Sequence, residues 1–200
     1  MKRLLSTIPL VGVCAYLGVA GQRLRSWGTR GDETTRDLPG QELVPGRGAQ
    51  LTQAIDIQAA PERVWPWVAQ LGQDKGGFYS YAWLENLGGA GIVNAEQINP
   101  QWQDPRPGGQ LRVHPWFSLE ILRVDPGELL VVGRPVPSGL GFRWSFQVSP
   151  RGQSGSRLLV RERYVVPFAP ARWCAHVATV GSAVMSRGML IGIRERAERV

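Results

Sequence analysis

From Gln110 to Val166 the chain alternates apolar and polar residues in short runs, and it ends in one long apolar stretch of helical spacing. The runs are Gln110–His114, Phe117–Val124, Leu129–Arg134, Phe142–Val148 and Arg157–Val166, parted by turn clusters such as Pro126-Gly127 and Pro137-Ser138-Gly139. Period-two alternation with short turns predicts antiparallel hairpins. Phe142, Trp144, Phe146 and Val148 share one face, opposite Arg143, Ser145 and Gln147. In the last run Leu158, Val160, Glu162, Tyr164 and Val166 share a face, and Arg157, Arg161 and Arg163 take the other.

Two further elements precede the hairpins. Gln50–Gln58 reads as a first strand, and Pro61 opens a helix whose Val64, Trp67, Val68 and Leu71 form one apolar face. Pro66 lies inside that pattern and predicts a loose first turn or a helix that begins there. The final helix is expected from about Pro170 to Glu198. Trp173, Val177, Val180, Val184 and Ile191 make its apolar stripe, and Arg194, Arg196 and Arg199 suit its C-terminal end. On pattern alone this is an α+β chain with an antiparallel sheet.

Between helix and hairpins lies GGFYSYAWLENLGGAGIVNAEQINPQWQ, Gly76 to Gln103. Phe78, Tyr79, Tyr81, Trp83 and Trp102 crowd into it, and such side chains suit the lining of a wet-edged cavity. The block, its place after APERVWPWVAQLG and the strands that follow resemble the SRPBCC superfamily, which holds START-type lipid-transfer domains and polyketide cyclases. The closest likeness is to uncharacterised bacterial members with a GG-aromatic-YSY-x-W-L-E/D-N-L block. The resemblance covers about Trp27 to the C-terminus and implies a helix-grip fold, a curved antiparallel sheet wrapped around the long C-terminal helix with a cavity between them. It divides the chain into an apolar anchor or signal (1–25), a Gly/Pro-rich linker that docks on the domain (26–48) and the helix-grip domain (49–200). It makes Phe142, Trp144 and Phe146 the sheet-side wall of the cavity and Trp173 and Val177 the helix-side wall. Tyr79, Tyr81, Trp83 and Trp102 become its rim, near Glu85 and Asn86.

Standard catalytic and metal-binding motifs are absent from the sequence, and no cofactor or metal is expected. Glu162 is the one weak catalytic candidate, an acid among inward apolar residues that calls for Arg or Tyr partners. Glu120 with Arg123, and His114, read as outer-face residues. The net charge of +7 comes from scattered arginines, with Lys2 and Lys75 the lysines among 23 basic residues, and no nucleic-acid motif accompanies them. Cys14 and Cys174 leave the globular part with one thiol and no internal disulfide, which fits a reducing compartment.

The expected function is binding of an apolar small molecule or lipid close to a membrane. Alternatives are a metal-free enzyme of the cyclase, hydratase or dehydratase type, and an assembly or stress accessory protein with a vestigial cavity. Leu4 to Gln22 carries no charge and is flanked by Lys2, Arg3, Arg23 and Arg25. As a helix it would be ~28 Å long, near the hydrocarbon thickness of a bilayer. An uncleaved anchor with a cytoplasmic domain is one reading, a cleaved signal peptide with a periplasmic or secreted domain another, and a peripheral or buried helix the third. The anchor predicts that the intact chain stays in the membrane pellet after a carbonate wash and that a chain beginning at Trp27 is soluble. Free solubility of the intact chain, with its first residues still present, would refute it.

Overall fold

The computed structural model describes residues 20–46, 48–135, 141–166 and 169–199, with the side chains of 135 and 169–173 outside that description. The uncharged run up to residue 19 therefore lies outside the described residues; residues 20–25 are helical. Strand β1 (Gly48–Ile57) leads through helix α1 (Pro61–Ala69) and helix α2 (Ala82–Leu87) to a five-strand meander. Its strands are β2 (Gln110–His114), β3 (Phe117–Asp125), β4 (Leu129–Pro135), β5 (Gly141–Arg151) and β6 (Gly155–Val165), and helix α3 (Ala169–Ala197) ends the chain. The sheet order is β1-β6-β5-β4-β3-β2, antiparallel at every step. This is the α+β arrangement expected, a six-stranded antiparallel sheet packed against one long C-terminal helix. Register shifts between Arg112 and His114 and between Ile121 and Arg123 break the ladders of β2 and β3, and such irregularities bend and twist a sheet locally.

The sheet is buried on both faces at β1, β5 and β6. On the inner face Ile57, Phe146, Val148, Leu158 and Val160 meet Val64 and Val68 of α1 and Met189, Leu190 and Ile193 of α3. Helix α1 runs unbroken from Pro61 through Pro66. The proline removes one amide donor from a short ladder, so the helix is held by its packing, with Val64, Trp67 and Val68 buried. The buried stripe of α3 is Thr179, Ala183, Ser186, Met189, Leu190, Ile193 and Ala197. This corrects the expected stripe, because Val177 is 54% exposed and Val184 39%. Ala, Val and Gly surround the first half of this helix, so hydrophobic spacing alone does not choose a face. Among the described residues, Cys174–Ala197 is the helix long and apolar enough to cross a bilayer, and it is the one the sheet grips.

On the outer face a small apolar cluster of Leu38, Ala54 and Leu159 is flanked by arginines. Arg157 donates to Glu33 at 2.9 and 2.6 Å, to Asp56 at 2.9 Å and to Gly28 O at 2.7 Å. Arg161 donates to Thr52 Oγ1, Arg36 O and Glu33 O. Arg163 reaches Gln50 and Gly46 O, and Arg143 reaches Gln41 O. Each arginine thus takes a carbonyl or carboxylate from the segment between Gly28 and Gly46. Trp27 O accepts from Ala54 N, and Gly28 sits so close to β1 that a Cβ there would lie 2.0 Å from Ala54 O.

Burial opposes ionisation of Glu33 and Asp56, but their hydrogen bonds and ion pairs to arginine outweigh it and hold both carboxyls below the ordinary range. Groups of depressed pKa stabilise the fold above their unfolded values, and that contribution is lost as pH falls through the folded ones. Arg157→Met strands Glu33, while Asp56 keeps Arg30 and Arg151, so it is expected to cost about 3 kcal/mol. Adding Glu33→Gln should recover part of that cost. The check is a double-mutant cycle in urea; strict additivity would break the claim that the two residues act as one unit.

Candidate functional site

The connection from Leu71 to Gln110 is long and mostly irregular, and buried amides fasten it. Gln70, fully buried, donates through Nε2 to Tyr79 Oη at 3.0 Å and to Gln97 O at 3.2 Å. Its Oε1 accepts from Asn99 N and Gln103 Nε2. Asn94 accepts from Phe78 N and Tyr79 N and donates to Ser80 O. Asn86 exchanges both of its bonds with the backbone of Ile92. Three amide side chains thus satisfy backbone groups that no ladder serves, as a loop of this length requires. Tyr79 takes a left-handed φ of 55°. Its ring packs edge-on against Trp67 at 5.6 Å, beneath the Arg196 guanidinium.

This clamp presses residues 79–81 onto α3. A Cβ at Gly192 would lie 2.0 Å from Tyr79 O, and one at Gly188 would lie 2.8 Å from the Tyr81 ring. The glycines that weaken the helix are thus where the loop touches it. Gly181 is different, with no atom near its missing Cβ.

Between loop, helix and sheet lies a cavity of about 240 Å³. Phe78, Ser80, Glu85, Ala90 and Ile92 line it from the loop, Val113, Trp144 and Glu162 from the sheet, and Ser182, Met185, Ser186 and Met189 from α3. A second lobe of about 330 Å³ shares Val113, Trp144, Glu162 and Ser182 and adds Phe117, Leu119, Phe142 and Tyr164. Trp144 stands between the lobes, 5.8 Å from Phe78 and 4.7 Å from Phe146, ring centre to ring centre.

Glu162 is the polar centre of this space. In the sheet it sits between Leu51 of β1 and Trp144 of β5. It is 2% exposed, and its Oε2 accepts from Tyr164 Oη at 2.9 Å and Ser182 Oγ at 2.5 Å. The Ser186 hydroxyl, one helical turn further, also favours the charged form but makes no hydrogen bond. Burial outweighs these hydroxyls and pushes the Glu162 carboxyl up. The expected arginine partner is absent among the described residues; the tyrosine partner is Tyr164. Glu85 is a second inward acid. Its Oε1 accepts from Ser80 Oγ, its Oε2 is buried without a partner, and burial raises it too.

Of the expected lining, Phe142, Trp144 and Glu162 face the cavity. Phe146 is fully buried in the core behind it, and Tyr79 is buried against Trp67 and α3. Tyr81 caps the helix at Gly188 and is 40% exposed, Trp83 is 68% exposed, and Trp102 borders a shallow surface hollow. Val177 points away from the sheet, and the side chain of Trp173 lies outside the described residues. Phe78, one of the crowded aromatics, lines the cavity, and the sequence reading held no expectation for Ser80, Ile92, Ser182, Met185, Ser186 or Met189 there. Ser182 and Ser186, four apart on an apolar helix, were the available signal. Glu120 is exposed and Arg123 pairs instead with Asp125. His114 Nε2 lies 3.1 Å from Gly88 O.

A carboxyl whose pKa is raised on folding binds more protons in the folded chain than in the unfolded one. Stability is therefore full below the unfolded value and falls as pH rises through the window up to the folded value. Glu162→Gln removes this slope. As pH rises above the ordinary carboxylate range, the melting temperature of the variant should gain on that of the parent. A constant difference over that rise would show that Glu162 does not carry the penalty.

Solved structures similar to this chain include the hypothetical protein jhp0584 from Helicobacter pylori, at 12% identity over 82% of this chain and 95% of that one, with a TM-score of 0.51. Protein MLL2253 from Mesorhizobium loti matches at 17% identity, 76% and 98% coverage and a TM-score of 0.45. CalU16 from Micromonospora echinospora matches at 16%, 82% and 89%, with a TM-score of 0.40. No family model and no curated protein matches the chain. The likeness to these bacterial proteins is one of fold.

Proposed function

We propose that this chain is a helix-grip protein of the SRPBCC type that binds an apolar small molecule or lipid between α3 and the sheet, close to a membrane. The observation that carries the reading is the two-lobed cavity, walled by Phe78, Ile92, Trp144, Met185, Met189, Phe117 and Phe142 around a few polar atoms. An apolar space with sparse, convergent polar groups suits a ligand that is held by its body and oriented by its head. The uncharged run from Leu4 to Gln22 supports placement at a membrane surface. A second reading, a metal-free cyclase or dehydratase, draws on Glu162 and Glu85. Two carboxyls that burial pushes up, facing one cavity, are suited to acid–base work.

The test is titration with Nile red, a neutral apolar dye, followed by dye emission and by tryptophan fluorescence. The parent should saturate at one site. Trp144→Leu should change the affinity several-fold while shifting the melting temperature little. A loss of about 3–5 kcal/mol on Trp144→Ala, with no saturable binding in the parent, would mean that the space is ordinary core.

A further inference from the structure

The cavity holds more polar capacity than the protein uses. Ser186 is 2% exposed and its Oγ has no partner; Glu85 Oε2 and Trp144 Nε1 are likewise buried and unpartnered, and all three residues line the same space. Buried polar groups without partners are rare in folded proteins, and three around one cavity require an explanation. Glu162 adds to the surplus. Tyr164 and Ser182 both donate to its Oε2, and among the described residues no bond reaches its Oε1.

Charge sharpens the point. The buried Glu33 and the part-buried Asp56 each have an arginine within ion-pair distance. Glu85 and Glu162 have no cation among the described residues, in a chain of net charge +7. Among the described residues, the charged groups that line the cavity are acids. Water can serve a hydroxyl or an indole, but it brings no countercharge to a buried carboxylate.

We propose that the ligand is an organic cation with an apolar body: an ammonium whose N–H groups lie between Glu162 and Glu85, on a chain or ring held by Phe78, Trp144 and Met189. The proposal rests on the small-molecule reading of the cavity and adds the chemical class. A neutral lipid leaves both acids without a countercharge, and a fatty acid places a third carboxyl beside them. An ammonium supplies donors to both acids and the missing charge, and Ser186 provides one further acceptor. A cation beside an acid favours its charged form, so any proton that Glu162 or Glu85 carries is given up to the buffer on binding.

The experiment is calorimetric titration of the full chain near neutral pH with octylamine, octanol and octanoate, which share a tail and differ in the head. Octylamine should saturate at one site about tenfold or more tighter than octanol, a difference of about 1.4 kcal/mol, and octanoate should bind weakest. The heat of amine binding should depend on the ionisation heat of the buffer, as proton release requires. Glu162→Gln should bring octylamine close to octanol and leave octanol unchanged. Glu85→Gln, on a short surface helix, gives the same comparison should the first variant misfold. Equal binding of octylamine and octanol, or preference for octanoate, overturns the cation while the cavity reading stands. If none of the three saturates although Nile red does, the cation falls alone; if Nile red fails as well, both readings fall.

Discussion

A six-stranded antiparallel sheet buried on both faces needs a cover for each, and here the covers differ in kind. The inner face meets α1 and α3 through aliphatic and aromatic contacts, which are non-directional and tolerate small shifts. The outer face meets residues 28–46 through the guanidinium groups of Arg143, Arg157, Arg161 and Arg163, which demand oxygens at fixed positions. Arg157 is satisfied by carboxylates. Arg161 is not: burial, with Arg143, Arg36 and Arg163 nearby, pulls it down to about 10, and neutral oxygens complete its shell. An outer layer built this way has a defined register along β1 and β6. The segment from Trp27 to Gly46 is therefore part of the folded unit.

That rigid outer layer bears on the inner site. Glu162 lies on β6 between Arg161 and Arg163, so the strand that carries the buried acid is tied down by its two neighbours on the opposite face. Alternation along one strand separates the arginine layer from the acid by the thickness of the sheet. The protein thus keeps its cations on one side of β6 and its unpaired acid on the other. Tyr164 and Ser182 moderate the cost of this arrangement without cancelling it, and burial still pushes the carboxyl up.

The hairpins, the final helix and the inward place of Glu162 were legible in the sequence because each depends on local alternation or spacing. Alternation put Phe142 and Trp144 on one face, and the resemblance made that face a cavity wall. Phe146 follows them with the same parity but sits deeper, under α1 and α3, where the sheet meets side chains rather than space. The face that α3 turns to the sheet was not legible. Its first half is apolar all round, and the contacts that choose Thr179, Ala183 and Ser186 come from residues distant in sequence, such as Gln53, which donates to Ala183 O and Leu24 O. The aromatic block misled in a different way. The resemblance made Tyr79 and Trp83 cavity rim, yet the fold of the block is set by the amides Gln70, Asn86 and Asn94. Their bonds to backbone leave no periodic trace.

The contact of residues 79–81 with Gly188 and Gly192 works as a hinge pin of fixed gauge. The loop carries one wall of the cavity and α3 carries another, so the clearance between these walls is set where loop and helix touch. Neither glycine lines the cavity. A methyl group at 192 would act as a shim, forcing the Tyr79 carbonyl outward and moving Phe78 and Ser80 with it. The capacity of this chain for a larger or smaller guest is thus adjustable from outside the binding site, by the thickness of one atom on the helix.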